Sequence, residues 1–244
     1  MLPAKGLIIM KFAVASEHRD FYHKNHLIEF NELLNPDQLA DLNKQINEYL
    51  APKLGIPVYK IKNASPEAQF NVGRDLWRVN DSLKRMILSP KLAEIASELI
   101  EQKPLRIGYD QLFPESKPVF DRFAVKENYL TYIQKHRSLH EVSCVRDIAC
   151  GLMLCLAGPE QMPSEKPSIF SRTPGSGVFF NPELSVDFSE IEEYGDHRYL
   201  LIVYGLSSAV YALNQDDPHT HALKHLGYIF NDKLNDRLNP IVYR

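Results

Sequence analysis

Residues 148–158 read IACGLMLCLAG and residues 199–206 read YLLIVYGL. Both are unbroken apolar runs of strand length, and each reads as a long buried strand. Around them LRIGYDQLF (105–113) alternates loosely, and SGVFFN (176–181) follows a turn at Pro174-Gly175. Strands that follow one another through loops, with no helix alternating between them, argue against a doubly wound parallel sheet. They predict a sandwich or barrel from about Pro104 onward. The Pro-rich segment PEQMPSEKPS (159–168) is expected to be a surface excursion between strands.

Upstream of Pro104 the period changes to that of helices. In NPDQLADLNKQINEYL, Asn35 is placed to cap a helix, Pro36 suits its first position, and Leu39, Leu42, Ile46 and Tyr49 share one face. The same grammar returns in SPKLAEIASELIEQ, with Ser89 as cap and Leu92, Ile95, Ala96, Leu99 and Ile100 as the stripe. DSLKRMIL (81–88) predicts a short helix leading into it, while NASPEAQFNVGRDLW (63–77) predicts a loop with one helical turn. The opening MLPAKGLIIMKF lacks the parts of a signal peptide and predicts a first strand.

The chain has 244 residues, 44% hydrophobic and 24% charged, which suits a single domain over 1–244. Its mainly helical part spans 1–103 and its β core 104–244. With 28 basic against 31 acidic residues and no Lys/Arg run, nucleic acid is not an expected partner. No apolar stretch approaches the ~20 residues that cross a bilayer, so no membrane partner is expected either. Cys144, Cys150 and Cys155 lack metal spacing and read as buried free thiols of a reducing compartment. A cytoplasmic location follows, with delivery by a specialised secretion system left open.

Three histidines crowd LNQDDPHTHALKHLGYIF (213–230). Asp217 as cap, Pro218 at the first position and Gly227 as stop predict a helix over 218–226, with Leu223 and Leu226 as its anchors. His221 and His225 then share a face, and Asp217 and His219 are within reach as further ligands, so these four are the candidate ligand-binding residues. Position 222 is Ala, so the general base of a His-Glu-x-x-His metalloprotease is missing. Helix termination alone also accounts for Asp217, Pro218 and Gly227. A second candidate is Ser207 in YGLSSA, which resembles a hydrolase nucleophile elbow with Ala209 in place of the last Gly; Asp217 and His219 supply the partners in the right order.

The order of segments resembles the phytanoyl-CoA dioxygenase-like family of iron and 2-oxoglutarate enzymes. HLIEFNELLNPDQLADLNKQINEYL is similar to that family's opening strand and capped helix, SPKLAEIASELIEQKPLRIGYDQLF to its second helix and first barrel strand, and GDHRYLLIVYG to its late Gly-Asp turn and strand. The resemblance implies an α+β fold: a distorted double-stranded β-helix, a jelly-roll or cupin-like barrel, with N-terminal helices packed on it. It also implies Fe(II) and 2-oxoglutarate as cofactors wherever the family's ligands are kept. They are not kept here. Between Phe113 and Gly151 the histidines fall in His136-Arg137-Ser138 and His140-Glu141-Val142, the His-x-Asp of the chain is His18-Arg19-Asp20, and Ser207 or Ser208 stands at the distal histidine. No catalytic residue transfers. Three functions follow: a catalytically degenerate scaffold that binds a small molecule or a protein partner without a metal; an oxygenase with an unorthodox iron site at Asp217, His219 and His221; and a serine hydrolase using Ser207.

Overall fold

The structure, a computed structural model, describes residues 14–115, 136–159, 168–193 and 195–244. The expected strand at 1–12 lies outside these residues, as does most of the loop at 159–168.

Helices dominate the first half: α1 (Ser16–Asn25), α2 (Pro36–Lys53), α3 (Pro66–Val72), α4 (Asp81–Ile87) and α5 (Pro90–Ile100), with strand β1 (Leu27–Phe30) after α1. Asn35 caps α2 as its sequence predicts: its side chain accepts the Gln38 N–H, and the Gln38 side chain accepts the Asn35 N–H in return. At α5, Pro90 opens the helix but the Ser89 side chain makes no cap bond. Segment 63–77 holds more helix than expected, since α3 runs through two turns.

The second half contributes β2 (Leu105–Phe113), β3 (His136–Arg137), α6 (Leu139–Val142), β4 (Val145–Ala157), β5 (Gly177–Phe180), β6 (Val186–Asp187), α7 (Glu190–Glu193), β7 (Arg198–Tyr211) and β8 (Ile241–Tyr243). Six strands form one antiparallel sheet in the order β1-β5-β4-β7-β2-β8; β3 and β6 pair separately. The large sheet is curled into half a barrel. In it β7 is shared, with Ile202 opposite Leu152 of β4 on one side and Asp110 of β2 on the other.

Both faces of this sheet are buried, which is why its central strands read as apolar runs rather than alternations. On one face Leu105, Ile107, Leu152, Leu154, Leu200 and Ile202 meet Leu42, Ile46 and Leu50 of α2 and Leu92, Ile95 and Leu99 of α5. On the other, concave face Tyr109, Phe113, Met153, Phe180, Tyr199 and Val203 meet Leu139, Val142, Phe170 and Phe188. Gly151 sits where a Cβ would lie 2.5 Å from the Phe180 ring, so glycine is required for that ring to cross β4. Cys144, Cys150 and Cys155 are all buried and unbridged, as expected.

Two expectations are corrected here. Residues 218–226 do not form an α-helix: Ala222–Leu226 is a 3-10 turn ending at Gly227 in the left-handed region, and Leu223 rather than Leu226 is the fully buried anchor. The backbone bonds are of the i to i+3 kind, with Asp217, His219 and His221 carbonyls accepting from Thr220, Ala222 and Lys224. The second correction concerns Ser207, which lies inside β7. The strand continues to Tyr211 instead of turning sharply into a helix, so no nucleophile elbow forms.

Candidate functional site

The site begins at Gly73. A Cβ there would fall 2.6 Å from the Leu112 side chain, and its absence lets segment 73–75 lie against β2. The Leu112 N–H donates to Gly73 O, Asp75 N–H donates to Asp110 O, and Arg74 bridges Gln111. Asp110 secures the next turn, accepting the N–H of Leu76 at 2.9 Å and of Trp77 at 3.1 Å. Burial and the neighbouring Asp75 push the Asp110 carboxyl up to about 8, against the pull of those two N–H donors.

This docking carries the Arg74 side chain onto the concave face. Its guanidinium carbon stands 3.3 Å from the centre of the Tyr109 ring, and Nη2 donates to Asp217 Oδ2 at 3.4 Å. The Arg74 side chain is 7% exposed and that of Asp217 is 0%. Asp217 is used on every side: Oδ2 also accepts the Cys144 N–H at 2.7 Å, and Oδ1 accepts the His219 N–H at 2.8 Å. Burial opposes the charge on Arg74, but Asp217 holds the guanidinium firmly protonated. Burial and then Asp217 keep the Cys144 thiol well above the usual thiol range, so it is no nucleophile.

His219 lies beside this pair, with its ring 5.5 Å from that of Phe70. Its Nε2 is buried without a hydrogen-bond partner among the described residues. Burial first, then the Arg74 charge, lower it to about 4 against the attraction of Asp217, so the imidazole is neutral. Asp217 and His219 are thus joined through the His219 backbone N–H, not as two ligands turned to one point. His221 and His225 do not join them: both are exposed, and the His221 ring packs near Phe230.

A facial triad needs two imidazoles and a carboxylate turned to one point. This cluster has one imidazole, a carboxylate whose two oxygens accept three donors, and a fixed cation beside them. Among the described residues no three His, Cys, Asp or Glu side chains are placed to hold a metal. These residues do not fit an iron centre, because Arg74 already occupies the position of the counter-charge to Asp217. Arg74, Tyr109 and Asp110 were not singled out by the sequence. The available signal was Asp110, a carboxylate in the middle of an otherwise strand-like LRIGYDQLF.

Comparison of the sequence with protein-family models and with curated proteins finds no match. Solved structures do match. The non-heme alpha ketoglutarate dependent carbocyclase SnoK from nogalamycin biosynthesis aligns with a TM-score of 0.61 at 13% identity, over 93% of this chain and 96% of that one. The epimerase SnoN from the same biosynthesis aligns at 0.57 and 13% identity, over 93% and 97%. EctD from S. alaskensis aligns at 0.52 and 13% identity, over 85% and 83%. At such identities the likeness establishes the fold alone, which this chain shares with SnoK, SnoN and EctD.

Proposed function

We propose that this chain is a catalytically degenerate relative of the phytanoyl-CoA dioxygenase-like enzymes, whose barrel has become a binding scaffold without iron chemistry. The half-barrel with the β3–β6 pair is read as a distorted double-stranded β-helix. One observation carries the functional reading: the Arg74–Asp217 pair stacked on Tyr109 puts a permanent cation on the concave face. Two positive charges a few ångströms apart in a buried site repel strongly, so a divalent metal there would have to displace the guanidinium. The three buried thiols suit a reducing cytoplasm.

The test is to load untagged protein anaerobically with Fe²⁺ and 2-oxoglutarate, following bound iron by elemental analysis, and then to admit O₂ as the oxidant and follow succinate formation by chromatography. Substoichiometric iron and no succinate are expected. Stoichiometric iron with turnover of 2-oxoglutarate would overturn the reading in favour of the unorthodox site. One feature favours that alternative, the unpartnered Nε2 of His219 beside Asp217.

A further inference from the structure

A second constellation lies away from the Arg74 cluster, where β2 begins between β7 and β8. A groove of about 430 Å³ opens there, lined among others by Lys103, Arg106, Ser207, Lys233, Asp236 and Arg244. Four cationic side chains face a single carboxylate, in a chain whose net charge is −3. Arg106 forms the floor. Its side chain is 5% exposed and is held in place by Nη1 donating to Asn239 O at 3.0 Å and Nη2 donating to Asp236 Oδ1 at 3.2 Å. Asn239, fully buried, is itself locked by donating to the carbonyls of Ile107 and Gly108. The guanidinium is therefore pre-oriented, and its buried Nε has no acceptor among the described residues.

The rest of the lining is equally uncommitted. Among the described residues Lys103, Lys233 and Arg244 form no ion pair, and the Ser207 hydroxyl, exposed on β7, has no partner. Exposed lysines scattered over a surface are ordinary, but these converge on a concave space floored by a buried arginine. Gathering like charges costs energy unless an anion offsets it.

We propose that this groove binds the phosphate group of a small phosphorylated molecule. A dianionic phosphate has the acceptors to take the Ser207 hydroxyl and the lysine ammoniums together, over the fixed charge of Arg106. The volume exceeds that of phosphate alone and falls in the range of metabolite sites, with Pro104 and Ile241 providing apolar wall. Ser207 acts as a hydrogen-bond donor; no bond is made or broken. The inference stands apart from the iron question, since Arg74, Tyr109, Asp217 and His219 do not line the groove.

The experiment uses the full chain. Pyrophosphate and inorganic phosphate are titrated by calorimetry and by thermal unfolding at constant ionic strength, with chloride as the non-binding control and succinate as a carboxylate dianion. Saturable binding of pyrophosphate, weaker binding of phosphate, and a loss of at least tenfold in the Lys103→Gln/Lys233→Gln variant are expected. Both substituted residues are exposed, so the fold should survive; unchanged unfolding by urea confirms it. Pyrophosphate binding no better than chloride, equal affinity in the double variant, or tighter binding of succinate than of pyrophosphate would each overturn the proposal.

Discussion

Replacing Arg74 by methionine keeps much of the side chain's length over Tyr109 and removes the charge that faces Asp217. The carboxylate is then fully buried with two backbone N–H donors and no cation. Breaking a buried pair costs about 3 to 5 kcal/mol. Here the Cys144 and His219 N–H groups remain at 2.7 and 2.8 Å and offset part of the loss, so the lower end, about 3 kcal/mol, is expected. Asp217→Asn alone strands the guanidinium and weakens one of the two N–H contacts, with a comparable cost. The two losses share a cause, so Arg74→Met/Asp217→Asn should be less destabilised than the sum, by about 2 kcal/mol. Urea unfolding followed by Trp77 fluorescence gives all four free energies of the cycle. A second readout is the His219 ring, whose titration by NMR should rise above about 4 once Arg74 no longer opposes its protonation, burial still holding it below the ordinary value. An Arg74→Met loss below about 1 kcal/mol, or strictly additive effects, would refute the idea that Arg74 and Asp217 form one buried electrostatic unit.

Around the 3-10 turn, Leu223→Ala should cost about 2 to 5 kcal/mol as a core truncation, and His225→Ala under about 1 kcal/mol as a surface change; equal losses in denaturation would contradict the burial pattern. Stability against pH should show two opposed windows. His219 is lowered to about 4, so the native state binds fewer protons there than the unfolded chain between about 4 and 6.5, and stability falls as pH drops through that window. Asp110 is raised to about 8, so the native state binds more protons between about 4 and 8, and stability falls as pH rises. The parent should therefore be nearly flat below pH 6.5 and decline above it. His219→Gln should decline throughout, and a parallel profile in that variant would count against the buried neutral imidazole.

Helices α2 and α5 were legible because their signals are local: a cap or Pro at the start and an apolar stripe along one face. The central strands were legible as apolar runs because both faces of the sheet are covered. The strand order was not, since β1-β5-β4-β7-β2-β8 joins segments that are distant in the chain, and nothing within a strand names its partner. The terminal turn failed for a specific reason. Asp217 looked like a helix cap, but its carboxylate is taken by Cys144 and Arg74 from other parts of the fold, and Tyr211 and Asn214 fix Thr220 through its carbonyl and hydroxyl. Tertiary partners outbid the local cap. Arg74 escaped because a single arginine in a loop has no pattern; only its docking on β2 through Gly73 gives it a role.

The position of β7 sets the order in which this protein is made. Leu105 of β2 waits for Leu206 and Val145 of β4 waits for Tyr211, so neither ladder closes before β7 leaves the ribosome. Until then the stripes of α2 and α5 face a sheet whose middle is missing, without the Leu200, Ile202 and Tyr204 side chains that complete their core. A nascent chain ending before Arg198 can pair β5 with β1 and β4 but has nothing to join that ladder to β2, which makes it a natural client for chaperones. Splitting the gene just before β7 would likewise leave β2 and the β1-β5-β4 ladder unjoined in one fragment until the other supplies β7.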